Sequence, residues 1–213
     1  MKLLVRDKFP KMNVVTTKGK MNLPDDFYGK WFVFFSHPSD FTPVCTTEFV
    51  AFQEMIEKFQ MLNTELVGLS VDTIEEHKNW ILWIKENLNV EIKFPIIDDS
   101  NKEISRRLGM IRDEQKDTTT ARSVVIVDFK GTVRTILEYP KEIGRNIDEI
   151  IRIVKSLQIA SEKHLFTPAN WPNNKIIGNK VLIGSSEEVT EKRIKDENIC
   201  KLSSWFMYKS LDD

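Results

Sequence analysis

The sequence predicts an α/β sandwich with a largely parallel central sheet and an antiparallel edge. Three observations predict it. Apolar segments of strand length alternate with segments of helical period from Trp31 to Leu157. Ser/Thr–x–x–Glu capping signals stand where two of those helices should open. A glycine turn then joins the last two strands directly, with no helix between them.

The elements follow in order. Met12–Thr16 and Met21–Leu23 flank the turn Thr17-Lys18-Gly19 and read as an opening hairpin, and Trp31–Ser36 is apolar enough for a buried strand. From Cys45 to Phe59 the period becomes helical, with Phe49, Phe52, Ile56 and Phe59 on one stripe. Glu65–Val71 is the next strand. Thr73 with Glu76 opens a helix through Leu88, and Phe94–Ile97 is a short strand. Ser100 with Glu103 repeats the signal for a helix that Gly109 should close. Arg122–Asp128 and Thr132–Tyr139 form a hairpin around Phe129-Lys130-Gly131. Asn146 and Glu149 open the last helix, with Ile147, Ile150, Ile151, Val154 and Leu157 on one face.

Near Thr167 the character changes. Thr167-Pro168-Ala169-Asn170-Trp171-Pro172-Asn173-Asn174 is a joint, followed by a short strand at Val181–Ile183, a charged stretch at Glu187–Glu197 and the apolar patch Trp205–Tyr208. The reading divides the chain into a main domain, 1–163, and an α+β extension, 164–213. The extension is too short to bury an independent core, so it should dock on the main domain or on another subunit.

Composition narrows the function. Lys plus Arg is 31 and Asp plus Glu is 32, a net charge of −1, which lacks the basic excess of a nucleic-acid binder. No stretch approaches a transmembrane helix, and Leu3-Leu4-Val5 before Arg6 is too short for the apolar region of a secretory leader. The expected location is the cytoplasm. Three histidines at scattered spacing suggest no metal, and nothing suggests an organic cofactor. The two cysteines, Cys45 and Cys200, cannot build a disulfide framework, and no C-x-x-C is present.

One segment carries chemistry: Ser36-His37-Pro38-Ser39-Asp40-Phe41-Thr42-Pro43-Val44-Cys45-Thr46-Thr47-Glu48-Phe49. A buried strand ends, a loop with two prolines follows and a helix begins. Thr42 suits the N-cap and Pro43 the first helical position, which places Cys45 at the third. That position faces unpaired N–H groups and the positive end of the helix dipole, so it favours a thiolate as it favours a carboxylate. Cys45 also shares the stripe of Phe49, Phe52 and Ile56, which puts it at the floor of a pocket. Geometry alone leaves two readings, a reactive thiol and a small buried bystander.

The combination Pro38-x-x-x-Thr42-x-x-Cys45 resembles the signature of the peroxiredoxins, cysteine peroxidases of thioredoxin-like fold. The longer string HPSDFTPVCTTEF looks like the type-six, one-Cys-like subfamily in its archaeal and bacterial branch. KFPKMNVVTTKGKMNL, FVFFSHP, LVGLSVD, KFPIIDD, ARSVVIVDFKG, YPKEIGRNIDEIIRIVKSLQ and TPANWPNNK resemble family segments in the same order. The resemblance implies a central mixed sheet flanked by helices, with the extension serving dimerisation. It makes Cys45 the peroxidatic cysteine, oxidised to a sulfenic acid by hydrogen peroxide or an alkyl hydroperoxide. Thr42 would hold the thiolate and the peroxide oxygens, and Pro38 would shield the sulfur from water. Arg122 would stabilise the thiolate and polarise the O–O bond, with a surface strand-end charge as its plain alternative. Glu48 would position Arg122, Arg145 would be a second supporting arginine, and His37 would support the site from behind. For His77 and His164 the sequence offers no partner.

Cys200 keeps two readings: it resolves the Cys45 sulfenic acid across a dimer, or the enzyme is one-Cys and uses an external thiol or thioredoxin-like reductant. The resemblance also implies homodimers, assembled as a decamer from a pentamer of dimers. Alternatives of other classes are a ring-forming holdase chaperone or redox sensor with secondary peroxidase activity. A dithiol oxidoreductase would share the fold but needs a second nearby cysteine.

Overall fold

In the computed structural model, which describes residues 3–111, 119–184 and 198–211, every side chain of β3 (Trp31–Ser36) is buried. A strand covered on both faces reads as a continuous apolar run, and WFVFFS is such a run. β3 pairs in parallel with β4 (Thr64–Ser70), which pairs in parallel with β5 (Ile96–Asp98). On its other side β3 pairs antiparallel with β6 (Arg122–Val127), and β6 forms the predicted hairpin with β7 (Val133–Tyr139). The opening hairpin, β1 (Met12–Thr16) and β2 (Gly19–Leu23), joins the far edge through an antiparallel contact with β5. The sheet has seven strands in the order β2-β1-β5-β4-β3-β6-β7, mixed as expected.

Alternation along β3 divides the core. Phe32 and Phe34 point to a layer containing Phe9, Val67, Leu69, Val125 and Leu108. Phe35 points the other way, against Phe49, Phe52 and Phe94 at ring separations of 5.5, 4.2 and 5.6 Å. Phe49 and Phe52 belong to α1 (Pro43–Glu54), which therefore lies over the strand whose end leads into it. The expected helix through Phe59 is broken at Met55, and α2 (Ile56–Met61) continues beyond the break.

α3 (Ile74–Leu88) opens with the full capping box of Thr73 and Glu76 and buries His77, Trp80 and Ile84. α4 (Glu103–Leu108) closes on Gly109 at φ 76°, the left-handed cap that glycine adopts without a steric cost. Its start differs from expectation. Lys102 occupies the N-cap, and the carboxylate of Asp99 takes the N–H groups of Ile104 and Ser105 at 2.9 and 2.7 Å. A longer-range acceptor has replaced the Ser100 box.

By internal contact the chain falls into two units, divided between Ile147 and Asp148. Nearly all of α5 (Ile147–Glu162) thus groups with the tail, whereas the sequence reading drew its line after Lys163. The second unit contains β8 (Leu165–Phe166), β9 (Val181–Ile183), β10 (Cys200–Lys201) and β11 (Met207–Lys209) in a sheet of order β10-β11-β9-β8. Ile159, Leu165, Trp171, Val181, Ile183 and Met207 form its small core. The charged stretch Glu187–Glu197 lies outside the described residues.

Candidate active site

The site is assembled where β3 and β6 run side by side and α1 begins. After Ser36 the chain turns through His37, Pro38, Ser39 and Asp40. Phe41 sits at φ 53°, a left-handed conformation that costs a bulky residue roughly 1–3 kcal/mol. Two bonds hold it there: Asp72 accepts from the Asp40 amide at 2.9 Å, and the Thr42 hydroxyl donates to Ser39 O at 3.0 Å. The bend turns Asp40 inward and lets Thr42, extended at φ −111° and ψ 145°, act as N-cap to α1. Pro43 is the first helical residue and Cys45 the third, as the spacing predicts. The Thr42 side chain makes no cap bond, since its one hydrogen is directed to Ser39 O.

Cys45 is fully buried. Arg122, the first residue of β6, brings Nη1 to 3.2 Å from its sulfur. The same Nη1 donates to Glu48 Oε2 at 2.6 Å, while Nε and Nη2 both donate to Lys141 O, at 2.9 and 2.7 Å. The guanidinium is thereby fixed on two sides with one N–H edge on the thiol. Glu48 stands one helical turn after Cys45, so the same face of α1 carries both. Its Oε1 accepts from the Arg145 amide and Nε, each at 2.8 Å, and its Oε2 accepts from Arg145 Nη2 at 2.7 Å as well as from Arg122. A carboxylate offers about four acceptor positions, and all four are used. Arg145 also donates through Nη1 to Ser36 O and Ser123 O and lies over the Phe35 ring at 5.3 Å. Burial lowers the Arg145 pKa from its ordinary value, and Glu48 works against that shift.

The sequence therefore names residues that the fold brings together: Cys45, Arg122, Glu48 and Arg145 share one hydrogen-bonded cluster. Pro38 is buried in the loop above it and Thr42 is half-buried at its rim. Cys200 belongs to the second unit, where it is exposed on β10.

His37 is part of a second cluster. Its Nε2 lies 2.7 Å from Asp40 Oδ1, and the other carboxylate oxygen lies 2.6 Å from His77 Nδ1. His77 thus has the partner that sequence reasoning missed. The signal was present: His77, Trp80 and Ile84 fall at helical spacing on the buried face of α3, an apolar stripe with one polar member. Burial would raise the Asp40 pKa, but its two histidine bonds outweigh that and leave it lowered. Burial would lower His77, but Asp40 and the Ile97 carbonyl leave it raised, whereas burial prevails at His37 and lowers it. His37, Asp40 and His77 bring three ligand-type atoms within 4.8 Å of one another. The facing atoms lie at hydrogen-bond distance from one another.

The geometry is thus a fully buried thiol at the third position of a helix, edged by a clamped guanidinium at a strand end, on a thioredoxin-like sheet. Comparison with known proteins agrees. Residues 5–136 match the profile of the AhpC/TSA family. A peroxiredoxin of Thermotoga maritima is 54% identical over 98% of this chain and 97% of its own. A peroxiredoxin of Methanocaldococcus jannaschii is 51% identical over 98% and 99%. Among solved structures, a yeast mitochondrial 1-Cys peroxiredoxin superposes with TM-score 0.86 at 33% identity, covering 97% of this chain and 99% of that one. A mutant of the peroxiredoxin 6 of Arenicola marina gives 0.83 at 31%, covering 98% of each. The chain belongs to the AhpC/TSA family. Within that family it is a peroxiredoxin, a thiol-dependent peroxidase that takes a peroxide as substrate and a thiol as reductant. The comparisons favour this function over a holdase or sensor. Among the described residues no helix is long and apolar enough to cross a membrane.

Proposed function

We propose that Cys45 is the reacting sulfur. Its thiolate attacks one oxygen of hydrogen peroxide or an alkyl hydroperoxide. An S–O bond forms, the O–O bond breaks, and the departing oxygen takes the peroxide proton to leave as water or alcohol. The sulfur, oxidised by two electrons, is left as a sulfenate that a solvent proton converts to the neutral sulfenic acid. Two reductant thiols then restore the thiol, giving their disulfide and water.

The observation that carries this reading is the 3.2 Å approach of Arg122 Nη1 to Cys45 Sγ with the guanidinium held by Glu48 and Lys141. A fixed cation there stabilises negative charge on sulfur before attack and on the departing oxygen during it, without reorganising. Glu48 and Arg145 keep Arg122 in place. Pro38 limits water at the sulfur, and the Thr42 hydroxyl, at the rim, turns from Ser39 O to a bound peroxide oxygen. His37 supports the loop.

Two free cysteines support a reducing compartment, the cytoplasm. For the reducing half-reaction we favour a one-Cys cycle with an external thiol or thioredoxin-like protein. The exposure of Cys200 supports a second reading, in which it resolves Cys45 of another subunit. We further propose that residues 164–213 serve as a dimerisation arm and that dimers assemble into a decamer. Exposed Phe166, Leu202 and Trp205 on that segment support an interface.

The test is intact mass and a non-reducing gel after one equivalent of hydrogen peroxide. One added oxygen on a monomer, absent in Cys45→Ser, is expected for the one-Cys cycle. A covalent dimer lost in Cys200→Ser would select the second reading. A Cys45 that stayed reduced would overturn the assignment.

A further inference from the structure

We infer that His77 is a positioning residue of this site: acting through Asp40, it holds the His37 ring as the neutral Nε2–H tautomer and leaves Nδ1 as an unprotonated acceptor. The inference extends the Cys45 reading, but its structural half stands apart from it.

Hydrogen-bond chemistry fixes most of the protons. His77 Nε2 lies 3.1 Å from Ile97 O, and a carbonyl only accepts, so Nε2 carries a hydrogen. Asp40 offers one oxygen to His77 Nδ1 and the other to His37 Nε2. One proton lies in each contact. The buried carboxylate is a weaker base than an imidazole, so with Asp40 ionised both facing nitrogens are donors. His77 then bears hydrogens on both nitrogens and is an imidazolium with an acceptor at each end.

His37 differs. Its Nδ1 is buried and, among the described residues, has no hydrogen-bond partner. A hydrogen placed there would be a buried donor with nothing to receive it, on a ring that would also be charged, and that is the costlier arrangement. The extra proton therefore belongs on His77 and the lone pair on His37 Nδ1. The pKa directions, His77 raised and His37 and Asp40 lowered, agree with this assignment. The other charges bearing on the trio are Asp72 beyond β4, Asp98 on β5 and Glu76 on α3, all acidic, and they add to the preference for a cation at His77.

The trio is built into the site. His37 directly precedes Pro38, and its ring packs on Phe49 at 4.7 Å, one helical turn past Cys45. It stacks on Trp80 at 5.2 Å, and Trp80 donates to Thr46, the neighbour of Cys45. Removing the His77 charge leaves Asp40 as a buried anion, and the nearest group able to neutralise it is His37. In His77→Gln, which keeps a donor but not the charge, the proton moves to His37 and its free acceptor is lost.

Heteronuclear NMR of the imidazole nitrogens in the reduced wild-type protein at neutral pH tests the proton assignment without any substitution. His37 should show Nε2–H with bare Nδ1, and His77 should be protonated on both nitrogens. A neutral His77, or a hydrogen on His37 Nδ1, would overturn the inference. Asp40→Asn should leave His77 neutral at the same pH, and a His77 still doubly protonated would also overturn it. In His77→Gln, His37 should titrate at higher pH, and peroxide reduction at neutral pH should fall about ten- to a hundred-fold, as when other supporting partners are removed. An unchanged His37 tautomer with an unchanged pH–rate profile would mean His77 only fills space. Activity surviving in Cys45→Ser would instead strike the Cys45 reading and leave the proton assignment standing.

Discussion

At Glu48 one carboxylate accepts four hydrogen bonds from two guanidinium groups and a backbone amide, all inside the protein. Removing one partner of a buried ion pair strands the other, at a typical cost of about 3–5 kcal/mol. Glu48→Ala should lose stability on that scale in urea unfolding, and Glu48→Gln, which retains an acceptor, should fall between it and wild type. Arg122→Gln keeps hydrogen-bond donors but not the charge, and peroxide reduction should slow by about 10²–10³, the usual loss on removing one charge-stabilising donor. The histidine trio sets a pH dependence. Asp40 has a folded pKa below its ordinary 3.8, so its contribution to stability is present above that pH and is lost as pH falls through the lower folded value. His77 lies above 6.5, so its contribution is complete below pH 6.5 and fades as pH rises through the raised value. His37 lies below 6.5, so acidification from pH 6.5 towards its folded value costs stability. Asp40→Asn should therefore show a flatter acid limb than wild type in denaturant titrations run across pH.

Among the elements, α1 bears the most constraint, because its inner face must pack on β3 and also aim Cys45 and Glu48. Gly68 of β4 shows how little room remains. A Cβ there would stand 3.3 Å from Phe49 Cζ and 3.4 Å from Phe35 Cζ. Gly68→Ala should cost about 1–3 kcal/mol by overpacking. It should slow peroxide reduction too if Phe49 yields by shifting the helix that carries Cys45. Thr73→Ala removes the capping box of α3 and should cost about 1 kcal/mol in thermal or chemical unfolding. Periodicity and caps made β3, α1, α3 and the β6–β7 hairpin legible, because in each the local pattern and the tertiary demand coincide. The break at Met55 was hidden, since the apolar stripe continues across it. The start of α4 was hidden because Asp99, not the nearest serine, receives its N–H groups. In the site, the motif around Cys45 was legible by spacing, and the Arg122–Glu48–Arg145 cluster only by resemblance. Asp40 and His77 were missed because they are far apart in sequence and meet only once β5 and α3 are placed.

Across the whole molecule, both units leave large apolar side chains exposed: Tyr28 at 87%, Phe41 at 55% and Trp83 at 44% in the first, and Phe166 at 55%, Leu202 at 65% and Trp205 at 71% in the second. Such surface is costly in a monomer and characteristic of association. If residues 164–213 form the subunit contact, Leu202→Glu with Trp205→Glu should reduce the assembly to a smaller species in sedimentation. The fold of the first unit, followed by circular dichroism, should survive. An unchanged sedimentation coefficient would remove this segment from the interface.

The clamp around Cys45 is also a charge container whose balance depends on the state of the sulfur. Arg122 and Arg145 carry two positive charges against one negative charge on Glu48, all at most 3% exposed. A thiolate brings the enclosure to neutrality, whereas a neutral sulfenic acid leaves one cation without its counterion in a dry interior. On the proposed Cys45 cycle, turnover switches the enclosure from balanced to unbalanced at the moment the sulfur must become accessible to a reductant, and rebalances it when the thiolate returns. Heat should report the difference. The Cys45→Ser protein, neutral at this position, should melt below the reduced wild type, and protein over-oxidised to the anionic sulfinate should melt closer to the reduced form than to the serine variant.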